Sequence, residues 1–221
     1  MRVAYRNNKG SFLKQVGWWI FFLISAFYGV FALYMGVVEV LSLAGVVEDA
    51  PHRAVPVVFV LHALSGGLAL ISGPLQFNRL ILSRRRRIHR IVGRLYLGAI
   101  WISSLGALWS AIFFDVTLAA KLAFGLLSIL WFGTTTIAYL RIRARQVKEH
   151  REWMIRSFAL SLFFVTFSFW VPGLASTSLP EEIGYPLAIF LSWSLNLLLA
   201  ELWMRRSRTR FSNRGSAVER V

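Results

Sequence analysis

Six runs of about 20 consecutive, mostly apolar residues divide this chain, and they decide what it can fold into. They are Gly17–Leu43, Ala54–Phe77, Leu95–Phe114, Leu118–Leu140, Phe158–Ala175 and Tyr185–Met204. Each is long enough, as a helix, to cross roughly 30 Å of hydrocarbon. Inside hydrocarbon every backbone polar group must be satisfied within the protein, which a helix achieves by itself. The fold class is therefore all-α: a polytopic transmembrane helix bundle of six spans. Residues 17–204 form one membrane domain between two basic tails, 1–16 and 205–221, the second expected to be disordered. The first run exceeds the 7–15-residue apolar core of a signal peptide, so it reads as a retained span.

Composition agrees. The 221 residues are 57% apolar and 16% charged, with no Cys. Water-soluble domains hold about 25% charged residues, so an ordinary globule is excluded along with a disordered chain. The missing cysteines exclude disulfides, thiolate metal sites, iron–sulfur clusters and a cysteine nucleophile. A net charge of +15 would suit a nucleic-acid binder if the charges shared a soluble surface. They do not. Of 25 Lys and Arg, all but Arg53 and Lys121 fall on one side of a six-span topology. They occupy the two tails and the segments joining spans two to three and four to five. By the positive-inside rule both termini are cytoplasmic, as expected for a bacterial plasma (inner) membrane protein. Arg84–Arg87 then reads as a topology anchor touching anionic lipid head groups, with no nucleic acid among the expected partners.

Small and polar residues mark helix faces that pack inside a membrane bundle. Span two carries His62, Ser65, Gly66, Ala69, Ser72, Gly73 and Gln76; span three carries Gly93, Tyr96, Ala99, Ser103, Ala107 and Ser110; span five carries Ser157, Ser161 and Ser168. These three are the expected inner helices, and the Phe-rich first span the lipid-facing one. Pro74 is expected to kink or end span two, and Pro172-Gly173 to interrupt span five. His62, about 12 Å into its span, is an intramembrane ionisable group. Glu39 is its expected partner; a Ser or a backbone carbonyl would serve a neutral imidazole equally. His52 reads as a surface residue.

His89 and His150 carry the sharpest signal. Each opens a His-Arg string after an arginine-rich segment, and spans three and five run in the same direction. The two imidazoles therefore lie at one depth, ringed by Arg90, Arg94, Arg151 and Arg156. Helix starts with arginines favour an anion. Two neutral imidazoles on facing helices also suit haem iron, with arginines pairing the propionates.

The strings His62…Gly66-Gly67…Gly73-Pro74-Leu75-Gln76-Phe77, His89-Arg90…Gly93-Arg94-Leu95-Tyr96 and His150-Arg151…Trp153-Met154…Arg156-Ser157 resemble a family of bacterial membrane proteins, the domain of unknown function 2306. The resemblance covers roughly residues 55–200 and implies a multi-pass membrane protein without implying an activity. More distantly the chain is similar to two-haem transmembrane b-type cytochromes. It departs from them in holding at most one complete ligand pair, His89 with His150.

Three functions fit these residues. One is a b-type haem electron-transfer or quinone-linked redox component. Another is a binding module for an anionic lipid or phosphate-bearing ligand. The third is a structural or assembly subunit among other membrane subunits. The topology is directly testable: reporter fusions after Asp115 and Leu179 should report the outer face, and fusions after Arg87, Arg145 and Arg214 the cytoplasm. A loop containing Arg84–Arg87 found outside overturns the orientation.

Overall fold

The computed structural model describes residues 8–44 and 56–218, so His52, Arg53 and the first residues of the N-terminal tail lie outside the described part. The elements are α1 (Asn8–Leu43), α2 (Pro56–Gln76), α3 (Arg79–Arg84), α4 (Arg86–Phe113), α5 (Leu118–Arg143), α6 (Val147–Ser161), α7 (Phe163–Ala175) and α8 (Glu181–Val218). Six membrane spans result: α1, α2, α4, α5, the α6–α7 pair and α8. Successive spans pack as neighbours. The fifth closes the bundle, its α6 half touching α2, α5 and α8 and its α7 half touching α1 and α8.

Spans two and three are the most buried, and span one the least. Span five is an inner helix over only half its length. Residues 157–161 of α6 are buried without interruption, whereas Val165 alone is buried in α7. The core joins Ala69 of α2, Tyr96 and Ile100 of α4, Trp131 and Ala138 of α5, Phe158 and Leu160 of α6, and Ile189 and Trp193 of α8.

Three helices extend beyond the apolar runs at the basic face. Helix α4 begins at Arg86 and α6 at Val147, well before Leu95 and Phe158. His89 and His150 therefore stand on first helical turns. Helix α8 continues through the basic segment to Val218. No proline interrupts that segment, arginine is a good helix former, and a forked Arg208–Glu152 ion pair ties the extension to α6.

Prolines act where neighbours compensate for them. Pro74 has no N–H for the Leu70 carbonyl one turn earlier. Ser25 of α1 donates its hydroxyl to that carbonyl at 2.6 Å, which both repairs α2 and clips α1 to it. The helix ends two residues after the proline, at Gln76. In span five the interruption lies at Leu162, not at Pro172, which α7 accommodates. Thr166 accounts for this position. Its Oγ1 lies 3.2 and 3.1 Å from the Leu162 and Phe163 carbonyls and 3.1 Å from that of Ser192 on α8. Side-chain bonds of this kind compete with the helix ladder.

Gly73 sets the closest approach of α2 to α6. A Cβ there would stand 2.1 and 2.3 Å from the Phe158 ring and 3.1 Å from Tyr96. Gly73→Ala should lower thermal stability in detergent by the 1–3 kcal/mol typical of roughly one overpacked methyl group. Adding Phe158→Leu should recover part of the loss. An unchanged melting temperature in the single variant would refute this packing.

Candidate functional site

The turn between α5 and α6 fixes His150. Arg145 adopts a left-handed conformation (φ 61°) at the end of α5. Its N–H donates to the Ile142 carbonyl at 3.0 Å, and the Gln146 N–H donates to Arg141 at 2.9 Å. This closed turn of a helix C-terminus normally uses glycine, because a Cβ is crowded there. It reverses the chain tightly and sets the first turn of α6 against the last turns of α5. His150 Nδ1 then meets the Ala138 carbonyl at 2.8 Å. A carbonyl only accepts, so Nδ1 carries the proton and donates, and Nε2 has no hydrogen-bond partner among the described residues.

A different element fixes His89. Gln76, buried at the last position of α2, lies against the first turns of α4. In the amide orientation that satisfies both the His89 carbonyl and the Gly93 N–H, its nitrogen donates to His89 Nδ1 at 2.9 Å and to the His89 carbonyl at 3.2 Å, and its oxygen accepts from the Gly93 N–H at 3.2 Å. A Cβ on residue 93 would stand 3.1 Å from this amide, which is why glycine suits that position. His89 Nδ1 is thus an acceptor. In the neutral ring the proton resides on Nε2, which likewise has no described partner.

Tyr96 on α4 meets Ser157 on α6 at 3.0 Å, and His89 and His150 each stand seven residues, about two turns, earlier on the same helix face, so the two imidazoles lie at one level of the bundle on facing sides. Around them Arg90, Arg94 and Arg151 are exposed. Arg156 is placed differently. It donates Nε to Glu201 Oε1 at 2.5 Å and Nη2 to Oε2 at 3.1 Å, and its guanidinium lies over Trp153 at 4.6 Å. This fork fastens α6 to α8, so Arg156 braces the site from behind.

Beneath the histidines a buried polar cluster joins three helices. Tyr96 Oη meets Ser157 Oγ at 3.0 Å and Ser161 Oγ at 3.2 Å. Thr135 Oγ1 meets Ser157 Oγ at 2.6 Å, and Trp131 Nε1 donates to Ser161 Oγ at 2.9 Å. Thr135 donates in turn to the Trp131 carbonyl at 2.8 Å and Ser161 to that of Ser157 at 3.0 Å. Every hydroxyl finds a partner, as a low-dielectric interior requires. The serines and Tyr96 belong to the polar stripes visible in the sequence, whereas Trp131 and Thr135 lie in a span whose consecutive Thr134-Thr135-Thr136 run marks no single helix face. Gln76 was visible only as the end of a stripe.

At the opposite end of the bundle, His62 turns to α4. Its Nδ1 donates to the Ser103 carbonyl at 2.9 Å, and Ser103 Oγ donates to the His62 carbonyl at 2.9 Å, a reciprocal clasp between α2 and α4. No ion pair joins His62 to Glu39. Glu39 faces the α1–α2 seam, fully buried, and its Oε2 has no hydrogen-bond partner. Of the sequence alternatives for His62, serine and a backbone carbonyl are the partners it meets.

Residues 59–204 match the family described as Predicted membrane protein (DUF2306), a stretch that includes His62, Gln76, His89, Gly93, His150 and the Arg156–Glu201 pair but not Glu39. No curated protein and no solved structure matches the chain.

Glu39 and His62 should respond to substitution independently. His62→Ala breaks the clasp to Ser103 and should cost about 1–3 kcal/mol, the usual penalty for leaving buried polar partners unmade. Glu39→Met removes a buried, partly unpartnered carboxylate and should leave stability unchanged or raise it. Thermal melts in detergent should give additive effects in the double variant. A double variant better than the sum would show that the two side chains interact.

Proposed function

We propose, for a chain that belongs to the DUF2306 family of predicted membrane proteins, that its basic face is cytoplasmic and binds an anionic lipid or phosphate-bearing ligand. The protein would lie in a bacterial plasma membrane with both termini inside. His89 and His150 would contact the ligand, Arg90, Arg94 and Arg151 would draw it in, and Arg156 would hold α6 in place. One observation carries this reading. Two imidazoles from different helices are tied at Nδ1 by Gln76 and Ala138, and their Nε2 atoms are left unbonded at the face bearing most of the arginines. Fixed hydrogen-bonding groups amid exposed cations suit a ligand that is both charged and directional.

The same pair favours a second reading, a single b-type haem with His89 and His150 as axial ligands. Imidazoles anchored at Nδ1 are the usual support for metal ligation through Nε2. Here the Gln76 amide would have to turn so that its oxygen accepts from Nδ1 of His89. Arg90, Arg94 and Arg151 would pair the haem propionates. Bound haem would supply one-electron chemistry, and the histidines would set its position.

One preparation tests both. Purified protein in zwitterionic nanodiscs should bind added phosphatidylglycerol. Replacing Arg90, Arg94 and Arg151 by Gln should weaken binding roughly fivefold for each charge removed at low salt, and less at high salt. An unaltered affinity in the triple variant refutes the anion site. A Soret band lost in both His89→Ala and His150→Ala would instead establish haem, and colourless protein from haem-replete cells would dismiss it.

A further inference from the structure

The two imidazoles are not equivalent, and their difference restricts the ligand. In the neutral pair, His89 receives a hydrogen bond at Nδ1 from the Gln76 amide and so presents Nε2–H, a donor. His150 gives its Nδ1 proton to the Ala138 carbonyl and so presents the Nε2 lone pair, an acceptor. A ligand bridging them must accept at one atom and donate at another. A phosphodiester has only acceptor oxygens and would set one against the His150 lone pair. A protonated phosphomonoester offers both, an oxygen for His89 and a P–OH for His150.

Resting on the anion-site reading, we infer that this site selects a terminal phosphomonoester, bound with one shared proton between a phosphate oxygen and His150 Nε2. The surrounding charge agrees. Helix α4 contributes Arg90 and Arg94, and α6 contributes Arg151, with Glu149 as the exposed acidic residue of its first turn. At the end of α5, Arg141 donates to Gln146 and Arg143 to Tyr139, so both guanidinia are partly engaged. On α8, Glu201 is neutralised by Arg156, and α2 contributes only the neutral amide of Gln76. The cations therefore compensate the phosphate charge, and the proton balance is left to the imidazoles.

At pH 8 a phosphomonoester in solution is a dianion, its second pKa being near 6. To be bound as described, it must gain one proton from the buffer, which ends on the P–O···Nε2 bridge. No covalent bond changes. The phosphate could come from a lipid head group, as in phosphatidic acid, or from a free phosphate, and the two sources are separable.

The experiment is calorimetry at pH 8 on the full chain in zwitterionic nanodiscs, repeated in two buffers of different ionisation enthalpy. Short-chain phosphatidic acid, short-chain phosphatidylmethanol (a diester whose head group carries no hydroxyl) and inorganic phosphate are titrated separately. Phosphatidic acid should bind at least ~10-fold tighter than phosphatidylmethanol and take up about one proton per molecule, while phosphatidylmethanol takes up none. Inorganic phosphate binding with the same uptake would identify a free phosphate as sufficient; binding of phosphatidic acid alone would identify the head group. His150→Ala should erase both the preference and the proton uptake, since it removes the Nε2 lone pair against which a diester oxygen would be set while every arginine of the site is kept. Equal affinities without proton uptake in the wild-type protein would overturn this inference and leave the general anion site standing. Failure of both lipids to bind would overturn the anion site itself.

Discussion

Hydrocarbon supplies no hydrogen bonds, so each polar side chain within the bundle must meet another polar group, and this requirement fixes which helices touch. Tyr96 shows it best. Its hydroxyl, fully buried on α4, can be satisfied only by reaching α6, where Ser157 and Ser161 receive it. Those serines are in turn held by Thr135 and Trp131 of α5. Three helices are thereby set in rotation and in depth by one cluster. The cluster also fixes the level of the helix starts above it, because α4 and α6 are continuous from His89 to Tyr96 and from His150 to Ser157. The relative position of the two imidazoles follows from a bond network about two turns away.

A second layer of fastening acts at the basic face. There water competes for charges, and single surface ion pairs contribute little. The pairs that matter are those held in two places at once. Arg156 forks onto Glu201 while stacking on Trp153, and Arg208 forks onto Glu152. Both join α6 to α8, so the helix carrying His150 is held on one side by α8 and on the other by the Ala138 carbonyl of α5. The exposed Arg90, Arg94 and Arg151 do none of this work. Fastening and display are thus divided among arginines that look alike in the sequence.

That division marks how far the sequence could be read. Six spans were legible because length and hydropathy alone define them, and the inner position of spans two and three followed from their small and polar stripes. Equal depth and equal direction are what suggest pairing His89 with His150, which stand on the first turns of α4 and α6. Side-chain partners were less accessible. Glu39 is the carboxylate within the apolar runs that lies nearest in depth to His62, which favoured pairing them, yet helix rotation sends His62 to Ser103 and Glu39 into the α1–α2 seam. The fastening of α8 beyond Met204 depends on a neighbour, Glu152, that lies 56 residues from Arg208 in sequence. Arg156 could not be told from Arg151 without knowing that Glu201 faces it.

Gln76 shows why a neutral residue can determine what a charged site recognises. Arginines attract any anion, and their attraction is screened within about 10 Å at ordinary salt, so they cannot separate one phosphate class from another. An imidazole can be donor or acceptor, and nothing in its own structure decides which. The decision falls to whatever holds its other nitrogen. For His150 that is a carbonyl, which admits only Nδ1–H; for His89 it is an amide that must also satisfy the Gly93 N–H and the His89 carbonyl, and so presents its nitrogen to the ring. The amide stands there because α2 stops two residues after Pro74, and it fits because residue 93 has no Cβ. Proline, glutamine and glycine, none of them able to bind an anion by charge, thus decide the polarity of the pair that the proposed ligand would meet.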